Sequence, residues 1–240
     1  MKLRRFGRIL LYTISMYLVT HIIVLFYLFP IGTLRIIINP KQDIRLKKQI
    51  TGLLFAIIDQ RLKVLGLDNI ELGKSYLIVS NYPGSYAGFA LMNLFPDASI
   101  LVHSFLSRVP IVGFLLKSTG AIFVQQKKFG RTKQSIDDML EQGKNKSIII
   151  LPEGGRSPDG SIRAFKRGFI YILRHGPMDL LPVTLRGFYS LKPLKRPYLN
   201  PDSDLEIVIH KPIDHSTIES LSNEDLLTLT VETIEKDYKP

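Results

Sequence analysis

A carboxylate and a guanidinium separated by two glycines, Glu153-Gly154-Gly155-Arg156, with Ser157 behind them, form the stretch of this chain best equipped for chemistry. The glycines let the backbone turn tightly and come close to a ligand. The planar fork of Arg156 suits a phosphate or a carboxylate. Ser157-Pro158-Asp159-Gly160 then carries turn chemistry, and Phe165-Lys166-Arg167-Gly168 opens a helical pattern with Lys166 as a further cation. Read alone, the same residues also describe an ordinary strand-turn-helix with a solvated charge pair. His103 closes an apolar run and stands either as a base or as a structural imidazole. His21 lies within an apolar stretch, and His175, His210 and His215 come late in the chain, away from these loops.

The elements that must position these groups can be read from periodicity. Ser147-Ile148-Ile149-Ile150-Leu151 is a short apolar run with consecutive β-branched residues, as a strand buried on both faces requires. Pro152 ends its pairing because it has no N–H to give. Comparable runs at Tyr76–Val79, Ser99–Val102, Ala121–Val124, Leu180–Leu185 and Leu205–Ile209 read as strands. Helical patterns separate most of them, at Ser85–Phe95, Val109–Ser118, Arg131–Gln142 and Lys166–His175, and a helical segment from Ser216 to Tyr238 follows. Strand-helix alternation predicts an α/β fold with helices on the faces of the sheet. Strand ends on one edge of such a sheet converge on one crevice.

Ahead of this body, Ile9 to Phe29 is nearly all apolar, and about 20 such residues suffice to cross a hydrocarbon core as a helix. Lys2, Arg4, Arg5 and Arg8 precede it and set the cytoplasmic side by the positive-inside rule. Spanning and re-entrant forms of this anchor both fit, since Pro30 and a second apolar patch follow. From Lys41 to Leu65, apolar residues recur at near-helical spacing among Arg45, Lys47, Lys48, Arg61 and Lys63, a basic amphipathic helix suited to a headgroup surface or to packing on its own domain. The expected organisation is an anchor over residues 1–40, this helix over 41–65 and an α/β domain over 66–240.

At 240 residues the chain holds one such domain plus an appendage, and its net charge of +11 calls for an anionic partner. The basic residues are scattered, without an aromatic RNA-binding stretch, which favours membrane lipid and argues against nucleic acid. The absence of cysteine excludes disulfides, thiol catalysis and thiolate metal sites.

In chain order stand Val79-Ser80-Asn81-Tyr82-Pro83-Gly84-Ser85-Tyr86-Ala87, then Gly120-Ala121-Ile122-Phe123-Val124, then the Glu153–Ser157 loop with Phe165–Gly168, and last Leu181-Pro182-Val183. This series, over roughly Lys63 to Val183, resembles the glycerolipid acyltransferase family typified by the lysophosphatidic acid acyltransferases. The resemblance implies a mixed sheet flanked by helices with a membrane-docking helical N-terminus. It also implies transfer of a fatty acyl chain from acyl-CoA or acyl-ACP to a lysophospholipid hydroxyl, with no bound cofactor or metal. In that family a His-x-x-x-x-Asp motif follows the first strand, the His taking the acceptor's proton and the Asp holding the imidazole. Here those positions are Tyr82 and Ala87. A phenol with a reference pKa of about 10 is a poor base near neutrality, and Ala87 cannot orient anything. Gln125-Gln126 stand where a cation is expected, Gly155 replaces a Thr, and Ser104-Phe105 replace a basic-acidic pair. Glu153, Gly154, Gly155, Arg156, Ser157 and Lys166 remain as substrate-binding candidates, with His103 as a displaced base. Three functions stay open: an acyltransferase with an altered site, a non-catalytic lipid- or partner-binding member of the fold, and a basic peripheral membrane protein that shares only ancestry.

Overall fold

A run of isoleucines can be a strand only if both its faces are covered, and Ile148 and Ile149 are buried from both sides. The computed structural model describes residues 2–23, 44–58, 60–109, 113, 116–117, 120–124 and 146–240. In chain order its elements are α1 (Lys2–Ile23), α2 (Ile44–Ile57), β1 (Leu62–Leu65), β2 (Tyr76–Ser80), α3 (Ala87–Leu94), β3 (Ser99–His103), β4 (Ile122–Val124), β5 (Ile148–Ile150), α4 (Gly168–His175), β6 (Asp179–Arg186), α5 (Phe188–Leu191), β7 (Leu205–Ile209), α6 (His215–Ser220) and α7 (Asn223–Lys236).

The strands form one sheet in the order β1-β7-β6-β2-β5-β3-β4. Every pairing is parallel except β6 with β7. The period of two along β2 divides the core. Tyr76 and Ile78 face a layer with Phe55, Ala87, Leu91 and Phe188. Leu77 and Val79 face the other layer, with Phe169, Ile172, Leu226 and Ile234. This is the α/β sheet with helices on its faces that the alternation predicts, and its one antiparallel pairing makes it the mixed sheet that the resemblance implies.

The anchor expected over Ile9–Phe29 meets a different outcome. Helix α1 covers its first part, but among the described residues no helix is long and apolar enough to cross a membrane. Residues 24–43 lie outside the described ones. One side of α1 packs on the domain: Tyr12 donates its hydroxyl to the Ile58 carbonyl, and Thr13 Oγ1 accepts from the Leu199 N–H at 3.0 Å. Leu10, Leu11, Ile14 and Leu18 stay exposed on it.

The amphipathic helix expected over 41–65 also needs correction. Helix α2 ends at Ile57, and Leu62–Leu65 is an edge strand paired with Leu205–Val208. Leu62 and Val64 are half-buried while Lys63 and Leu65 are exposed, so the strand period decides this segment. The cross-strand bond from Lys63 Nζ to Glu206 Oε1, at 2.6 Å, supports it. Nor do all the cations of α2 face outward. Arg45 and Lys48 are exposed, but Lys47 is 2% exposed and donates to the Ala98 carbonyl at 2.7 Å, tying α2 to the start of β3. Of the helix expected over Val109–Ser118, Val109 is described as extended and Gly113, Leu116 and Lys117 as helical; the one expected over Arg131–Gln142 lies outside the described residues.

Burial lowers the pKa of Lys47 to about 8, with Asp97 pulling it up and Lys146 pushing it further down. In the unfolded chain the group sits near 10.5, so between these values the unfolded state binds more protons and stability rises with pH. Urea titrations at pH 7.5 and 9.5 should register a gain on the order of 1 kcal/mol from this group. Lys47→Met should abolish that gain, and an unchanged pH dependence in the variant would contradict the assignment.

Candidate active site

The strand ends of β2, β5, β3 and β4 share one edge of the sheet because these strands run parallel, and the candidate residues are gathered there. After β2, the buried side chain of Asn81 acts like a stretch of backbone. Its Nδ2 donates to the Leu185 carbonyl at 3.0 Å and its Oδ1 accepts from the Leu185 N–H at 2.8 Å. The amide extends the β2–β6 pairing past the strand end and launches Tyr82 from a fixed point. Hydropathy hides this role, because an Asn after a strand reads as a turn residue.

The loop after β5 grips Tyr82 by its backbone. Glu153 is 3% exposed, and its Oε1 accepts from the Tyr82 N–H at 2.5 Å. Its Oε2 accepts from the Arg163 N–H at 3.0 Å. In return the Ser157 N–H donates to the Tyr82 carbonyl at 3.0 Å. Burial raises the Glu153 pKa, while the two N–H groups hold it down. Both carboxylate oxygens are thus spent on backbone, and Glu153 is not the partner of Arg156. Arg156 Nη1 donates instead to Ser85 Oγ at 2.7 Å, and it makes no ion pair with a carboxylate among the described residues. Gly154 turns the loop at φ 66°. Gly84 is needed for proximity: a Cβ there would lie 2.7 Å from the Phe188 carbonyl oxygen.

A cavity of about 550 Å³ opens at this edge. Met92, Ile100, Leu116 and Ile172 are among its apolar walls, and Tyr82, Ser85, Arg156 and Lys166 bring polar atoms to it. Of the residues singled out by sequence, Tyr82, His103, Gly154, Gly155, Arg156 and Lys166 all line it. Glu153 and Ser157 are buried beside it and act on the Tyr82 backbone. Ala87, fully buried at the start of α3, is a core residue and not part of the lining. Gln125-Gln126 lie outside the described residues.

Protonation decides what these groups can do. Burial raises the Tyr82 pKa against the pull of Arg156, so its phenol remains a donor and is no base at neutral pH. His103 Nδ1 accepts from the Phe105 N–H at 3.1 Å, which assigns the proton of the neutral ring to Nε2. In this arrangement the imidazole is a donor too. Elsewhere, Thr184, His210 and Asp237 line up like a nucleophile, base and acid: Thr184 Oγ1 lies 2.8 Å from His210 Nε2, and His210 Nδ1 lies 3.8 Å from Asp237 Oδ2. Thr184 is fully buried and its hydroxyl donates to the Ile234 carbonyl at 2.8 Å, so the group clamps α7 to β6. Among the described residues no three His, Asp or Glu side chains converge as metal ligands would.

Comparison with known proteins bears on this site. The family model described as Acyltransferase matches residues 61–186, just over half of the chain. The chain is 24% identical over 171 residues to the chloroplastic 1-acyl-sn-glycerol-3-phosphate acyltransferase of Arabidopsis thaliana, covering 68% of this chain and 47% of that protein. It is 27% identical over 176 residues to the 1-acyl-sn-glycerol-3-phosphate acyltransferase of Borreliella burgdorferi, covering 72% and 70%. It thus spans about half the length of several curated relatives that it matches. The crystal structure of the 1-acyl-sn-glycerophosphate acyltransferase PlsC from Thermotoga maritima superposes with a TM-score of 0.79 at 22% identity, covering 97% of this chain and 95% of that one. That likeness is one of fold.

The carboxylate of Glu153 joins the two loops, so its loss should be felt in both. Glu153→Gln leaves one of the two backbone N–H groups facing an amide NH₂. Leaving a buried donor unsatisfied costs about 1–3 kcal/mol. Chemical denaturation should show a loss of that size, and faster amide exchange at Tyr82 and Arg163. Parent-like stability and exchange would mean that the loops are held by something else.

Proposed function

The chain belongs to the acyltransferase family, and from that premise we propose that it is a membrane-associated protein of phospholipid metabolism whose cavity receives a lysophospholipid and an acyl thioester, acyl-CoA or acyl-ACP. One observation carries this reading: a mostly apolar cavity is lined in part by a guanidinium that no described carboxylate neutralises. Such a site suits a molecule with a hydrocarbon chain and an anionic headgroup. The names of the relatives from Arabidopsis and Borreliella, both 1-acyl-sn-glycerol-3-phosphate acyltransferases, support a lysophosphatidate-like acceptor.

In acyl transfer the acceptor hydroxyl oxygen attacks the thioester carbonyl carbon, the C–S bond breaks, and the hydroxyl proton must leave to a base. Our reading gives Tyr82 and Ala87 the family's His and Asp positions. The phenol of Tyr82 is kept protonated by burial, and His103 Nδ1 is taken by the Phe105 N–H, so neither of these two described groups offers the acceptor a free base. Both groups can donate to a phosphate or a carbonyl oxygen. This favours a second reading, a lipid-binding member of the family with slow turnover or none. Substrate-binding roles go to Glu153, Gly154, Gly155, Arg156, Ser157 and Lys166, with Glu153 and Ser157 acting through the backbone.

Membrane attachment belongs to the same proposal, with the α/β domain on the cytoplasmic face. The exposed Leu10, Leu11, Ile14 and Leu18 of α1 support it, as a stripe that could lie in the headgroup region. Burying each leucine there is worth about 1.5–3 kcal/mol. Protein in vesicle-containing lysate should therefore resist extraction by 1 M salt, and Leu11→Asp with Leu18→Asp should make it extractable. Salt release of the parent would contradict this mode of attachment.

General-base assistance is worth about 10²–10⁴ in rate. Parent protein in detergent, given acyl-CoA and a lysolipid panel and read by mass spectrometry, should be slower than an intact His-Asp site by that order. Tyr82→His with Ala87→Asp should raise the rate, while His103→Ala should leave it unchanged. A fast parent that loses activity in His103→Ala would show that His103 has become the base.

A further inference from the structure

The segment that follows α7, Asp237 to Pro240, takes no part in the family's motifs, yet it lies against the functional loop. One side of it is fastened to the end of β6. Arg186 donates through Nε to the Asp237 carbonyl and through Nη2 to Asp237 Oδ1 at 2.8 Å. The Gly187 N–H donates to the Lys239 carbonyl at 3.4 Å. Its other side touches the turn after Arg156: Tyr238 donates its hydroxyl to the Gly160 carbonyl at 2.5 Å. Tyr189, from α5, reaches the adjacent Pro158 carbonyl at 3.3 Å. Gly160 has φ 95°, and a Cβ on it would come within 2.9 Å of the Tyr189 ring and 3.3 Å of Pro240. The turn is therefore pressed against a surface that this segment helps to build.

The same turn is what grips the site. Its first residue, Ser157, donates its N–H to the Tyr82 carbonyl and accepts the Gly160 N–H on its Oγ at 2.9 Å. Just beyond it, the Arg163 N–H holds Glu153, whose other oxygen holds the Tyr82 N–H. Hydrogen bonds thus run from β6 through residues 237–240 to Gly160 and on to Ser157 and Tyr82, and the chain from Gly160 leads three residues on to Arg163, which holds Glu153. We infer that Tyr238 is a positioning residue for the Arg156 loop: its hydroxyl, held in place by the strap over β6, fixes Gly160 and so the orientation in which Arg156 meets an anionic headgroup. Burial and the nearby charges of Glu153 and Asp159 push the Tyr238 pKa up to about 12, so the hydroxyl remains a donor throughout the working pH range.

Its functional part rests on the lipid-binding reading of Arg156; its structural part does not. Tyr238→Phe removes only the hydroxyl. Hydrogen–deuterium exchange of the ligand-free protein should accelerate about tenfold or more in peptides covering 80–85 and 153–163, and remain unchanged in α7. The Tm should fall by no more than about 4 °C. In calorimetric titrations with short-chain lysophosphatidate, Tyr238→Phe should weaken binding about three- to tenfold. The same change should do little in an Arg156→Ala background, because coupled residues are not additive. Binding of a monoacylglycerol of equal chain length should not move. Unchanged exchange in the loop overturns the inference, and so do losses that multiply independently of Arg156→Ala. Parent protein that binds no lysophosphatidate would sink the lipid reading of the cavity, and the exchange result would then decide alone, for acceleration or against it.

Discussion

A single buried carboxylate sets the geometry of this protein's site. Glu153 places one oxygen on the backbone of Tyr82 and the other on the backbone of Arg163. Those residues belong to loops that leave neighbouring parallel strands, and nothing in strand pairing itself fixes loops relative to each other. Burial disfavours the charge, and the two N–H groups answer that cost by solvating it. A carboxylate spent this way does no chemistry on a ligand. It leaves Arg156, three residues on, to line the cavity with Ser85 as its hydrogen-bond partner among the described residues.

The sheet supplies what Glu153 builds on. Five parallel strands, β6, β2, β5, β3 and β4, end on one edge, where side chains from several loops meet, as open parallel sheets favour. Asn81 carries the pairing of β2 one residue further, and Gly84 lets the following turn approach α5. The apolar lining comes from α3, β3 and α4 on both layers of the core. A cavity with mostly apolar walls and the cations Arg156 and Lys166 in its lining is what the proposed lipid ligand needs.

Much of this could be read in the residues themselves. Isoleucine runs announce strands covered on both faces, and their alternation with helical patterns yields the α/β sheet, its motif loops and the residues that line the cavity. Short-range pattern fails where tertiary contacts decide. Leu62–Leu65 carries a half-helical spacing, yet pairing with β7 makes it a strand. Lys47 reads as one cation among several on a polar face, yet the Ala98 carbonyl draws it inward. Glu153 and Arg156 read as a charge pair by spacing, and only the competing backbone donors of Tyr82 and Arg163 separate them. Tyr238 lies some eighty residues from the loop it touches, beyond the reach of any periodicity.

The central claim is that Arg156, released by Glu153, gives this cavity its preference for an anionic headgroup. Titrating the purified protein with lysophosphatidate and with a monoacylglycerol of the same chain length tests it most directly. A charge-assisted contact is worth about 1.5–3 kcal/mol, so lysophosphatidate should bind at least about tenfold more tightly, and Arg156→Ala should erase the difference. Equal affinities in the parent, or a preference that survives Arg156→Ala, would contradict the account.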